Sequence, residues 1–74
     1  MKHKYTEQYE TILHKLTTRN TQHTLYDLQR LVETILVAET DLTKYKDVLQ
    51  TAKTHLPASN SIWKRVNAIL VTIQ

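Results

Sequence analysis

No residue of this 74-residue chain is glycine, and only Pro57 is proline. Phosphate-binding loops, dinucleotide-binding turns and two-residue β-hairpins need backbone positions that tolerate positive φ, which glycine occupies at least cost. Nucleotide-binding α/β folds and hairpin-rich β folds therefore lose their usual punctuation. Cysteine is absent as well, which removes disulfide staples, thiolate nucleophiles and cysteine-ligated metal sites, and fits a reducing compartment. A chain of this length makes one domain, spanning residues 1–74, and buries only about 60% of its unfolded-state surface, so a cleft between domains is excluded. An all-α fold, a small helical bundle, is what these exclusions leave.

Apolar residues return at helical spacing in four segments. Tyr5, Tyr9, Ile12, Leu13 and Leu16 share one face of a first helix, which the polar run Thr17 to Gln22 ends. Leu25, Leu28, Val32, Ile35 and Leu36 form a second stripe, widened by Leu31 and Val37, and this helix is expected to be the most buried. Its start falls at Asn20, Thr21 or Thr24, the last with Asp27 three residues on in the manner of a capping box. Thr40 or Asp41 is suited to cap a third helix carrying Leu42, Tyr45, Val48, Leu49, Ala52 and Leu56. With neither Gly nor Pro at that joint, one continuous helix over 24–56 is the alternative. Pro57 marks the last boundary, since the residue before a proline is driven out of the helical region. Ser59 or Ser61 then caps a fourth helix with Ile62, Val66, Ile69, Leu70 and Ile73 inward and Trp63 and Val71 at the flanks. Its β-branched residues lower its helix propensity, so packing must supply the rest. The expected architecture is an antiparallel four-helix bundle. The twelve threonines fall mostly on polar faces and joints, as a solvated surface would place them.

Ten Lys and Arg against seven Asp and Glu give a net charge of +3, modest for a nucleic-acid binder. Mean hydropathy is −0.45, and no stretch approaches the length of a membrane span. Met1-Lys2-His3-Lys4-Tyr5 is basic and lacks the apolar run of a signal peptide, so a cytoplasmic location is expected. Four histidines and seven carboxylates are the available bases, but no hydroxyl sits in a recognisable nucleophile elbow or oxyanion loop. Glu10 and His14, four apart, read as a surface pair, and His55 as a favourable partner for a helix C-terminal dipole. No catalytic residue, metal or cofactor is expected.

The functional signal lies in the last helix. Lys64 and Arg65 in its first turns oppose the helix dipole and stand beside Trp63, the one tryptophan. Trp63 suits closure of the core edge, with the cations merely solvated. It also suits a binding patch, an aromatic anchor flanked by cations that fits an acidic protein surface or a headgroup region. Lys64 and Arg65, with Ser59, Asn60, Ser61 and Asn67, equally fit the recognition helix of a small DNA-binding or regulatory protein of plasmid or phage type. That is the second reading, weakened by the missing turn glycine, the dispersed basic residues and the acidic middle of the chain.

The stretch Leu42-Thr43-Lys44-Tyr45-Lys46-Asp47-Val48-Leu49-Gln50-Thr51-Ala52-Lys53-Thr54-His55-Leu56, then Ile62-Trp63-Lys64-Arg65-Val66-Asn67-Ala68-Ile69-Leu70, resembles the middle of the enterocin A-type immunity proteins. The shared pattern is a helix reading Tyr-x-Asp-x-Leu followed by one carrying an Arg-Val-Asn-like run, over about half of the chain. The resemblance implies a non-catalytic antiparallel four-helix bundle in the cytosol that protects a producer of pediocin-like bacteriocins. It implies as partner the membrane component of the mannose phosphotransferase system with bacteriocin bound, and no small-molecule substrate. When the similar helices are aligned, this chain has an extra helix before them and stops at Gln74, where family members continue into another helix and a flexible tail. The expected partner-binding residues are Trp63, Lys64, Arg65 and Asn67, with Lys2, His3 and Lys4 as a membrane-proximal basic patch. A third possibility is self-association, through stripes on the second and fourth helices wider than one bundle can cover.

Overall fold

The computed structural model describes residues 3–18 and 22–73, and those residues are all-helical. Four α-helices follow one another: α1 Thr6–Thr18, α2 Gln22–Ala38, α3 Lys46–His55 and α4 Ser61–Ile73. A single 3₁₀ turn, Leu42–Tyr45, leads into α3. The second helix packs against each of the other three, and α3 lies against α4. The core is built from the inward stripes, with Leu28, Val32, Ile35, Val48, Leu49, Ala52 and Val66 fully out of solvent.

The entry to α1 is made by His3. Its Nδ1 accepts from the Tyr5 N–H at 3.1 Å, while its own N–H donates to the Thr6 hydroxyl at 2.6 Å. This reciprocal pairing is the logic of a capping box, with an imidazole in place of the usual hydroxyl or carboxylate. Within α1, Tyr5, Ile12 and Leu16 are buried and Tyr9 and Leu13 pack against them, as their spacing predicts. Threonines inside the helices return their hydroxyls to the preceding turn: Thr11 to Glu7 O, Thr34 to Arg30 O, Thr51 to Asp47 O and Thr72 to Ala68 O, each at 3.0 Å. A hydroxyl satisfied in this way is turned away from the helix's own N–H groups and has a partner without leaving the helical conformation.

Two start signals read from the sequence are corrected. Thr24 lies inside α2 and is buried rather than capping it; Asn20 and Thr21 lie outside the described residues. Asn60, not Ser59 or Ser61, caps α4: its Oδ1 accepts from the Ile62 N–H at 2.8 Å, and its backbone carbonyl accepts from Lys64 at 3.2 Å. Val37 does not widen the buried stripe but points outward, 83% exposed.

The joint at residues 38–41 breaks the helix without Gly or Pro, so residues 24–56 are not one helix. Asp41 is extended, with φ −99° and ψ 92°, and its carboxylate accepts from the Thr43 N–H at 3.3 Å, capping the 3₁₀ turn. The Thr43 hydroxyl donates to the same carboxylate, and these two hydrogen bonds, the hydroxyl's first and the N–H's second, hold the Asp41 carboxyl below the ordinary carboxylate range. Tyr45 leaves the helical region before α3 begins. At the other end of α3, Leu56 is extended ahead of Pro57, with ψ 149°, and the turn closes by Asn60 N–H to Pro57 O at 2.9 Å.

Candidate partner-binding surface

The inward face of α4, Ile62, Val66 and Leu70, fixes which side chains look outward. Ser61, Lys64, Arg65, Ala68, Val71 and Thr72 are exposed, and Asn67 is half-buried at the edge. No acidic residue stands in the first turn of α4, so the two cations face the positive end of the helix dipole without a local counter-charge on their own turn. Trp63 is half-buried against the core and its indole N–H donates to the Lys53 carbonyl at 2.9 Å. That carbonyl belongs to the last turn of α3, where helix carbonyls lack intrahelical donors. Trp63 therefore stitches α4 to α3, and what it offers a partner is the ring rather than the N–H. Successive residues turn by about 100° around a helix, so Lys64 and Arg65 form an exposed cationic ledge that runs away from the tethered Trp63, while Asn67, four residues on, returns to the Trp63 side.

The N-terminal patch is not kept together. Lys2 lies outside the described residues. His3 is turned inward, its side chain only 10% exposed, against the Tyr45 ring at 4.9 Å between centroids and with Nε2 3.6 Å from Asp47 Oδ1. Lys4 projects outward, with its ammonium 3.9 Å from a Glu39 carboxylate oxygen and 5.7 Å from the Tyr5 ring centre. Of the two described members of the patch, Lys4 is exposed and leans on a carboxylate, and His3 is withdrawn from the surface.

What took the place of that patch is an aromatic cluster that sequence reasoning did not find. Tyr5 and Tyr45 both donate to Glu39, at 2.8 and 3.0 Å, and their rings meet edge to face at 5.5 Å. The hydrogen bond from Tyr5, then that from Tyr45, holds the Glu39 carboxyl below its ordinary range, with Lys4 and Lys44 adding in the same direction. Tyr5 is raised chiefly by the same hydrogen bond, Tyr45 chiefly by burial. One signal was available: a tyrosine on an apolar stripe must find a partner for its hydroxyl, and two such stripes met near one glutamate. Among the described residues no group of three or more His, Asp or Glu side chains is arranged to hold a metal ion. No described helix is long and apolar enough to cross a membrane.

Compared with protein-family models, with curated proteins and with solved structures, the chain shows no significant match to any of them.

Proposed function

We propose that the chain is a non-enzymatic, antiparallel four-helix bundle that acts by binding a protein partner, and that it is a cytoplasmic bacteriocin immunity protein. The short joints favour antiparallel neighbours, because helices linked by a few residues must turn back on each other. The observation that carries the reading is the α4 ledge, where Lys64 and Arg65 are exposed beside Trp63, itself held by the Lys53 carbonyl. Exposed cations that follow a pre-ordered aromatic along the helix suit an acidic protein surface, since little side-chain entropy remains to be lost by the ring on binding. The resemblance of residues 42–56 and 62–70 to the enterocin A-type immunity proteins supplies the partner. It is the membrane component of the mannose phosphotransferase system with a pediocin-like bacteriocin engaged, approached from the cytoplasmic side.

The test is protection. Expression in a bacteriocin-sensitive strain is expected to shift killing curves for at least one of a panel of pediocin-like peptides. The double variant K64E/R65E is expected to lose that protection while keeping its far-UV circular dichroism. Killing curves unchanged across the panel overturn the immunity reading.

One observation favours a second reading. The exposed Ser61, Lys64 and Arg65 occupy the N-terminal half of a helix that follows a short helix and a tight turn, the placement of a DNA recognition helix. In that case a mobility shift weakens steeply as salt rises, because each phosphate contact releases counterions. No shift at low salt removes it.

A further inference from the structure

The outward face of α2 carries a stripe that is complementary to itself. Tyr26, Arg30, Glu33 and Val37 follow at intervals of four, three and four residues, which keeps them on one side of the helix. All four are exposed, Tyr26 at 54% and Val37 at 83%, opposite the buried Leu28, Val32 and Ile35. The order along the helix is apolar, cation, anion, apolar. Tyr26 and Val37 lie symmetrically about the peptide bond between Leu31 and Val32, and so do Arg30 and Glu33. We infer that this face of α2 docks on the same face of a second copy of the chain, the two helices antiparallel about a two-fold axis.

In that arrangement Tyr26 of one copy meets Val37 of the other and Arg30 meets Glu33, and the two-fold makes each contact twice. A parallel pairing sets Arg30 on Arg30 and Glu33 on Glu33, so the charges select one orientation. The flanks agree. Gln29 and Thr34 are also symmetric about the same point, and neither brings a like charge into register. The stripe is partly ordered before any partner arrives. The Arg30 guanidinium lies 5.9 Å from the Tyr26 ring centre, and Gln29 donates to the Glu33 carboxylate at 3.2 Å. Both contacts reduce the side-chain freedom lost on docking. One helix face per chain is small beside the roughly 1,200–2,000 Å² of stable interfaces, so the dimer is expected to form with a dissociation constant on the order of 0.1–1 mM. This surface is on a different helix from the α4 ledge and does not depend on the immunity reading.

Sedimentation velocity on the full chain from about 10 µM to about 1 mM tests it, because that range spans the expected dissociation constant. The weight-average mass is expected to climb from 8.7 kDa toward twice that value. R30E sets Glu against Glu33 at both contacts and is expected to raise the dissociation constant at least about tenfold. R30E/E33R restores opposite charges with their sense reversed and is expected to return it to within about threefold of the original. V37K, a cation placed on the exposed last turn of α2 where the dipole favours it, is expected to abolish association with the helical circular dichroism unchanged. A chain that stays monomeric throughout, an R30E variant that associates as well as the parent, or a folded R30E/E33R variant that does not recover overturns the proposal.

Discussion

Glu39 takes two tyrosine hydroxyls, Tyr5 at 2.8 Å and Tyr45 at 3.0 Å, and so joins the start of α1, the end of α2 and the turn before α3 through one carboxylate. Both bonds favour its charged form, and its folded-state pKa lies below that of the unfolded chain. A depressed carboxyl contributes stability that is complete above the unfolded carboxylate range, about pH 4–5, and is lost as pH falls through the lowered folded value. The tyrosines work in the opposite sense. Their raised values mean the fold holds the phenolic protons more tightly, a contribution complete below about pH 10 and lost as pH climbs through the folded values. E39Q is therefore expected to melt at a lower temperature than the parent at pH 7, with the two melting curves converging as pH is lowered to about 2–3. Thermal melts followed by circular dichroism across that range check it. A gap of constant size at pH 7 and at the acid end would falsify a role for the carboxylate charge.

Asn60 does at the level of the element what Glu39 does at the level of the residue. Its Oδ1 caps α4 through the Ile62 N–H, and its Nδ2 donates to the Gln29 side chain at 2.8 Å, tying the α3–α4 turn to α2. N60A removes both and is expected to cost about 1–2 kcal/mol. N60D keeps the cap, loses the amide donor, and sets a negative charge at a helix start where Lys64 and Arg65 otherwise stand alone, so less than half of that loss is expected. Urea midpoints for the two variants, with unchanged slopes, decide the matter. The run Ser59-Asn60-Ser61 offers three good cap residues, and local chemistry does not rank them; the bond to Gln29, 31 residues away, does. The four inward stripes and the joint at Asp41 were legible because each rests on local spacing or on one capping side chain. Thr24 misled because a threonine inside a helix and one at its start carry the same hydroxyl. Val37 belongs with the outward face once Leu28, Val32 and Ile35 set the phase of α2.

At the scale of the molecule, legibility ends where contacts become long-range. Lys2, His3 and Lys4 look alike as a basic run, yet His3 is drawn inward by partners 42 and 44 residues away, Tyr45 and Asp47, for which the run holds no signal. The same long-range ties bear on how the fold comes apart. The first helix reaches α3 through the Tyr9 hydroxyl, which meets Thr51 Oγ1 at 2.6 Å and Asp47 O at 3.1 Å, while α3 holds α4 through Trp63. With every helix pinned to α3, no helix has a separate core to retain, and unfolding is expected to be one transition. A domain of 74 residues has on the order of 4–11 kcal/mol of stability in total. Leu49 sits fully buried on α3 at the centre of these ties, and L49A is expected to remove about 2–5 kcal/mol, a large share of the whole. The melting temperature should fall by at least about 10 °C. Trp63 fluorescence reports the α3–α4 contact, near-ultraviolet circular dichroism reports the packed aromatic rings together, the Tyr5–Tyr45 pair among them, and far-ultraviolet circular dichroism reports all the helices. The three are expected to give one midpoint in the parent and one lower midpoint in L49A. A near-ultraviolet transition with an early phase that Trp63 fluorescence does not share would show that α1 detaches first and that the hydroxyls of Tyr5 and Tyr9 do not couple it to the rest.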